Sequence, residues 1–552
     1  MIRGVHGAVA HMLEVVRGAF ATPALRRLQF GFAGAALGQW SSLIVLSVYA
    51  YDSGGAAAVG IVGLAKMLPA ALLTPLTGML ADRFARRDVL LASALLRTTL
   101  ALAIAAAVAA GLPLWAVVAL AVAKTIAGTP YRPAQAAFLP QLAATPQQMA
   151  AANAIWNGIE SAAFVVGALV GGWAVATFAP EAAFAVIALP YAAAALFLTG
   201  IPRDTVAAHR EPMAGSTARD EALLGYRTVL REPRLRTLVG VLACSKVVEG
   251  AVDTLVVLVA LELLGLGDGA VGYLNALWGV GGVLGMVIAL GLLRRGTLAV
   301  GLMLGCLVMG GALLAIAGVA TVAAAATGLF VFGLGLALVE IAGESLMQRL
   351  SSDAVLGRVF GVIEGAYTAA TGIGAALTPI LTALLGIEGA LVVVGAALPL
   401  LALARWRTLA RYEAGAAIPE RPFQLLRQVP LFAPLPVAAV ENLTLRLDPV
   451  AVAAGETIIT QGERGDRFFV IDAGRFEVLV DGRHVREEGP GEFFGEIALL
   501  HEVPRTATVR ALDDGALYAL DSDEFIATVT GDPRALRAAD GVIGDRVVTV
   551  PA

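Results

Sequence analysis

Charge is scarce in this sequence: only 15% of its 552 residues are Asp, Glu, Lys or Arg, against 58% hydrophobic. A soluble chain of this length would carry about a quarter charged residues, so the deficit places most of the protein in lipid. Lysine is nearly absent, with three residues against 36 arginines. Cysteine is limited to Cys244 and Cys306, both inside apolar runs, which excludes a disulfide framework and a cysteine metal site. There is no clustered basic face, and the formal net charge is -4, so a nucleic-acid surface is excluded. No Walker motif, GxSxG elbow or HExxH occurs, so no catalytic residue, enzymatic activity, metal site or covalent cofactor is expected. The first 30 residues lack an apolar stretch with a small-residue cleavage site, so the first span is expected to act as its own insertion signal.

What is present is a series of apolar runs, which give a mean hydropathy of +0.80. At about 1.5 Å per residue, segments able to cross a bilayer read as 28–51, 57–80, 88–110, 114–136, 151–178 and 182–200, then 237–263, 270–293, 297–318, 320–348, 358–385 and 387–408. The expectation is an all-α polytopic membrane bundle of twelve helices in two six-helix halves, 28–200 and 237–408. A cytoplasmic segment 1–27 precedes them and a charged central loop 201–236 divides them. A linker 409–422 and a domain of ordinary soluble patterning, 423–552, follow. Connections on one side carry the arginines (Arg26, Arg27, Arg132, Arg294, Arg295, Arg405), while those near 52, 112, 180, 266, 319 and 388 carry no Lys or Arg. The positive-inside rule then places both termini and the C-terminal domain in the cytoplasm of a multi-pass plasma-membrane protein. The segment QLAATPQQMAAANAIWNGIE at 141–160 is echoed by QRLSSDAVLGRVFGVIEGAY at 348–367, and GALVGG at 167 by GAALTP at 374. Both echoes have one offset, as expected of two related halves that rock against each other.

All three lysines, Lys66, Lys124 and Lys246, fall inside expected spans. Lys246, Glu249 and Asp253 share one helical face at i, i+3, i+7. Glu160, Glu340, Glu344 and Glu364 add carboxylates in other spans. A charge near the bilayer centre costs about 2.5–3.5 kcal/mol on insertion scales, so it faces a cavity or a partner. One reading is a polar transport cavity in which a carboxylate takes up or releases a proton, its pKa set by desolvation and a neighbouring lysine; the other is structural pairing that locks helices. The first candidates for the cavity are Lys246, Glu249, Asp253 and Glu160, followed by Lys66, Lys124 and Glu340.

Between the second and third spans stands GMLADRFARR, 78–87, which resembles the signature of the major facilitator superfamily. LGQW at 37–40 and RPAQAAFLPQL at 132–142 extend the resemblance to its drug and siderophore exporter branch, over residues 25–410. The resemblance implies a cytoplasmic gate in which Gly78 packs closely and Asp82, Arg83, Arg86 and Arg87 form a charge latch. Ala85 and Gln39 depart from the pattern, standing where glycine and aspartate are usual.

Beyond the linker, a helical lead from Phe423 gives way to short strands punctuated by glycine, the pattern of a small antiparallel barrel or jelly roll with flanking helices. The segment FFGEIALLHEVPRTATVRAL, 493–512, resembles the phosphate-binding cassette of the cyclic-nucleotide-binding domain family. The resemblance implies a regulatory ligand, cAMP or cGMP with cAMP favoured, held by Phe494, Gly495, Glu496, Ile497, Ala498, Arg505, Thr506 and Ala507. Arg505 forks onto the cyclic phosphate, Glu496 accepts the ribose 2′-hydroxyl, and Thr506 offers a hydroxyl to the phosphate or to a guanine edge. Backbone N–H groups opening a short helix near Gly495 face the anion. Hinge and lid helices are expected over 523–548, interrupted by glycine and proline.

Together these readings give a secondary active transporter, a proton-coupled exporter of a small amphipathic molecule regulated by a cyclic nucleotide, with membrane lipid, substrate and nucleotide as its partners. Two alternatives stay open: a membrane sensor that relays nucleotide binding without moving cargo, and transport of a lipid-like molecule.

Overall fold

A computed structural model describes residues 20, 22–142, 146–202, 232–293, 298–350, 353–415, 419–435, 437–501, 503–531, 535–539 and 541–542. The chain divides into two compact units, Met1–Ala414 and Gly415–Ala552.

The first unit is helical. Its helices are α1 (Pro23–Arg83), α2 (Arg86–Ala109), α3 (Leu114–Gly128), α4 (Tyr131–Leu142), α5 (Pro146–Thr177), α6 (Pro180–Val186), α7 (Ala188–Thr199), α8 (Pro233–Leu258, continued by a π turn Val259–Leu263), α9 (Gly269–Leu293), α10 (Leu298–Gly318), α11 (Val322–Leu350) and α12 (Asp353–Gly415). Among the described residues nine helices are long and apolar enough to cross a membrane, rather than the twelve separate spans expected. Two physical reasons account for the difference. In α1 and α12, glycines at non-helical dihedrals (Gly54 and Gly55 in α1, Gly386 with φ 74° in α12) break the helical run where the sequence reads two spans, so each of these stretches contains a pair of the expected spans. Helix α8 is not among the nine; Lys246, Glu249 and Asp253 all lie on it. The central loop lies outside the described residues over 203–231, as do Arg294 and Arg295.

Large apolar side chains face outward from this unit, including Trp115, Leu196 and Leu384, each more than 70% exposed, as a lipid-facing surface requires. Close packing between the halves relies on small residues. A Cβ on Gly172 of α5 would stand 2.8 Å from the Gly269 carbonyl oxygen and 2.9 Å from the Gly272 Cα of α9. A ladder of edge-to-face rings also crosses from one half to the other: Trp40 to Phe164 at 4.6 Å, Phe164 to Trp278 at 5.6 Å, and Trp278 to Phe332 at 5.2 Å. Tyr51 donates to Glu262 Oε1 at 2.8 Å, joining α1 to the π turn.

Residues 409–415 of the expected linker continue α12, and the second unit begins with the amphipathic α13 (Glu420–Gln428) and α14 (Val437–Thr444). Eight strands follow: β1 (Asp448–Val452), β2 (Thr457–Ile459), β3 (Arg467–Ala473), β4 (Phe476–Val480), β5 (Arg483–Glu488), β6 (Phe493–Phe494), β7 (Thr508–Ala511) and β8 (Gly515–Asp521). They form two four-stranded sheets, ordered β1-β8-β3-β6 and β2-β7-β4-β5, with antiparallel pairings throughout. The period-2 alternation of β3 sets the layers. Phe469 and Ile471 enter a core shared by both sheets with Phe476, Val509 and Leu517. Phe468 and Val470 point the other way, onto Leu426 and Phe525 of the helices and Phe432 of the turn between α13 and α14. Of the expected hinge and lid region, α16 (Ser522–Gly531) packs Phe525 and Val529 into that helical core, where Ala535 and Ala539 are also buried; residues 543–548 lie outside the described residues.

Candidate functional site

The nucleotide cassette is built where β6 ends. Gly495 adopts φ 97°, a left-handed conformation that glycine takes at little cost, and a five-residue helix α15 (Glu496–Leu500) starts immediately after it. A Cβ at Gly495 would lie 2.7 Å from Arg505 Nη1, so the absence of a side chain lets the guanidinium pass under the turn. Arg505 is only 5% exposed. Its Nη1 donates to the Gly495 carbonyl at 3.0 Å and its Nη2 to the Arg467 carbonyl at 2.7 Å, with Asp466 Oδ1 at 3.5 Å. Burial lowers the Arg505 pKa from its usual value, while Asp466 and Glu496 oppose that shift; a guanidinium stays charged under these conditions. The loop before β3 clamps the backbone: Arg505 N–H donates to the Glu463 carbonyl at 2.7 Å and Gly462 N–H to the Arg505 carbonyl at 2.8 Å.

All eight residues expected for the nucleotide line one open recess. Glu496 is 1% exposed and within electrostatic reach of Arg505. Four further lining residues were not legible in the cassette: Ile459, Val478 and Val509, which supply apolar wall from β2, β4 and β7, and Arg486 from β5. Arg486 is held by Glu488, Nη2 to Oε1 at 2.6 Å. Ile459, Val478 and Arg486 lie outside the cassette and reach the recess only through the strand pairing.

In the helical unit, the expected cavity residues fall into groups. Lys246 Nζ donates to Glu249 Oε2 at 2.7 Å and also to Glu340 of α11. Asp253, on the same face of α8, is electrostatically coupled to Glu249, and to Lys66 of α1 across the halves. Lys66 in turn is coupled to Lys124 of α3. Glu160 stands apart, accepting from Trp40 Nε1 at 3.1 Å. Glu344 is exposed, and the Glu364 side chain lies outside the described residues. Lys124 donates to Ser42 Oγ, and beside it the sequence reading missed Arg97 of α2, also 5% exposed. A lone arginine in an expected span is the signal that could have found it.

In the gate motif, the Asp82 side chain lies outside the described residues. Ala85 takes an extended conformation (φ -54°, ψ 124°) between α1 and α2, which needs no glycine. Arg87 pairs with Asp88 at 2.9 Å and donates to the Thr199 carbonyl at 3.1 Å; Arg83 is exposed. Among the described residues no group of three His, Cys, Asp or Glu is arranged to hold a metal ion.

The family model for the Major Facilitator Superfamily matches residues 28–364, and that for the cyclic nucleotide-binding domain matches residues 449–532. Among solved structures the chain is similar to the nucleoside transporter NupG, with a TM-score of 0.60 over 70% of this chain and all of that one; at 14% identity the likeness is one of fold. It is 38% identical over 127 residues to an uncharacterized protein of Mycobacterium tuberculosis, 23% of each chain. It is 40% identical over 95 residues to a cAMP-dependent protein kinase regulatory subunit of Yarrowia lipolytica, 17% of this chain and 25% of that one. The chain spans about a quarter of the length of these curated relatives. With more than half its length matched and the fold shared, this multi-pass membrane protein belongs to the major facilitator superfamily and carries a cyclic nucleotide-binding domain in its C-terminal region.

Proposed function

We propose that the chain is a secondary active transporter, a proton-coupled exporter of a small amphipathic molecule, whose flux is regulated by a cyclic nucleotide, cAMP favoured, bound in the C-terminal recess. The observation that carries the reading is Arg505, a buried cation at a recess lined by the cassette residues, on the same polypeptide as a membrane bundle that holds paired lysine and carboxylate side chains. Its fork matches two oxygens of a cyclic phosphate, Glu496 accepts the ribose 2′-hydroxyl, and Ile497 and Ala498 pack on the sugar and phosphate. Phe494, Gly495 and Ala507 complete the wall, Thr506 adds a hydroxyl, and the apolar side chains Ile459, Val478 and Val509 face the base.

In the bundle, Glu249 and Asp253 are the carboxylates that exchange a proton, with Lys246 and Lys66 as the partners that stabilise their charged forms. Lys124 and Glu340 border the same path, Glu160 lies apart from it as the acceptor of Trp40, and the 78–87 motif is the gate on the cytoplasmic side, where both termini and the nucleotide domain reside. The nucleotide acts by favouring one gate state through differential affinity; a coupling of about 1–3 kcal/mol changes that balance 5- to 150-fold. The test is counterflow in proteoliposomes with a panel of amphipathic substrates, with and without a pH gradient and saturating cAMP. Counterflow that responds to both supports the reading. Intact vesicles without counterflow for any substrate, combined with nucleotide binding, would instead establish a sensor, and lipid co-purifying stoichiometrically would point to a lipid-like cargo.

A further inference from the structure

Lys246 is answered by two carboxylates and Lys66 lies within electrostatic reach of Asp253, but Arg97 and Lys124, each 5% exposed, hydrogen-bond only to neutral groups among the described residues. Arg97 Nη2 donates to Gln39 Oε1 and to the Tyr191 hydroxyl, each at 3.1 Å, and the guanidinium sits 4.3 Å from the centre of the Tyr191 ring. Lys124 donates to Ser42 and lies 5.8 Å from the same ring, so both cations flank one tyrosine. Neither forms an ion pair with any described carboxylate. Gln39 offers a neutral oxygen where an aspartate would cancel one charge.

Hydrogen-bonding capacity around the pair is also unused. Among the described residues Arg97 Nε and the Tyr131 hydroxyl are buried without a hydrogen-bond partner, and Tyr131 is within electrostatic reach of Arg97. One helical turn beyond Tyr131, Gln135 is fully buried with both amide atoms unbonded. Two basic side chains buried inside a bilayer without a carboxylate partner are each costly to keep charged, and buried polar atoms are rarely left unsatisfied. An oxyanion resolves both deficits, because it neutralises charge and accepts from a guanidinium fork and an ammonium together.

We infer that Arg97 and Lys124 form the binding site for the anionic group, a carboxylate or a phosphate, of the transported molecule, with Tyr131 and Gln135 contacting its polar remainder. This rests on the transporter reading and narrows its amphipathic substrate to an organic anion.

The test is thermal shift on the purified full chain with benzoate, phenyl phosphate and uncharged benzamide as probes, followed by counterflow of the same probes. Benzoate or phenyl phosphate, and not benzamide, is expected to raise the midpoint saturably, and the better of the two identifies the headgroup. Arg97→Gln and Lys124→Gln should each weaken that binding by about 10-fold or more, and Arg97→Lys by less. These positions lie outside the nucleotide-binding unit, so such a loss separates this site from Arg505. If Arg97→Gln does not fold, Lys124→Gln decides. The inference is overturned if neither anion stabilises the wild type, or if both Gln variants bind as the wild type does. Anion binding that depends on Arg97 without counterflow would keep this site and remove the transporter reading. Counterflow of benzamide indifferent to Arg97→Gln would do the reverse.

Discussion

Removing the Arg505 guanidinium is the sharpest perturbation of the nucleotide site. At 5% exposure, with both terminal nitrogens already donating to the Gly495 and Arg467 carbonyls, the group is preorganised and gives up little side-chain entropy on meeting an anion. Two hydrogen bonds to a charged phosphate are worth about 1.5–3 kcal/mol each. Arg505→Ala should therefore lose about 3–6 kcal/mol of binding, roughly a 150- to 20,000-fold fall in affinity. Thermal shift and calorimetry with cAMP and cGMP read this directly. At a ligand concentration of about 100 times the wild-type Kd, the wild type gains about 2.7 kcal/mol of stability, whereas the variant, at or below its own Kd, gains less than about 0.4 kcal/mol. The variant also loses its two internal bonds, at about 1 kcal/mol each, so its unliganded midpoint should drop; Arg505→Lys, which keeps charge without the fork, should lie between. A midpoint raised equally by cAMP in wild type and Arg505→Ala would show that the phosphate is held elsewhere.

Other outcomes follow from the geometry. Lys246→Met would leave Glu249 and Glu340 facing each other without a cation, costing towards the lower end of about 3–5 kcal/mol because Glu340 is 39% exposed; chemical denaturation in detergent would measure it, with Lys246→Arg retaining most of the stability. Gly172→Leu, whose Cβ would fall within 2.9 Å of Gly272, should overpack the contact between halves by about 1–3 kcal/mol and slow counterflow while leaving nucleotide binding unchanged. Asp513 accepts from the Arg475 backbone N–H at 2.6 Å and its side chain at 3.1 Å, which hold its pKa below the usual carboxylate value. Its contribution to stability is thus present above the unfolded pKa near about 4 and lost as pH falls through the lower folded value. Acid titration of the thermal midpoint should therefore show a shallower decline in Asp513→Asn than in the wild type.

Much of the organisation was legible in sequence because lipid and water impose opposite rules on side chains. Apolar runs locate helices whatever packs against them, and the 493–512 cassette keeps its spacing on one continuous stretch, so Gly495, Glu496 and Arg505 could be placed in one recess from order alone. Lys246 and Glu249 met as expected because i, i+3 spacing on a helix is a local property. Contacts made across elements carried no such signal. Glu340 joins Lys246 from a helix 94 residues away, Arg486 reaches the recess because β4 pairs with β5, and Arg97 finds Lys124 only through the ring of Tyr191. The non-helical glycines that divide α1 and α12 likewise depend on backbone dihedrals that no residue pattern fixed. Composition and local spacing therefore determined which solvent each segment occupies and which residues share a helix face or a turn. The tertiary structure decided which charges are neutralised and which are left facing one another, because that depends on distances between segments far apart along the chain.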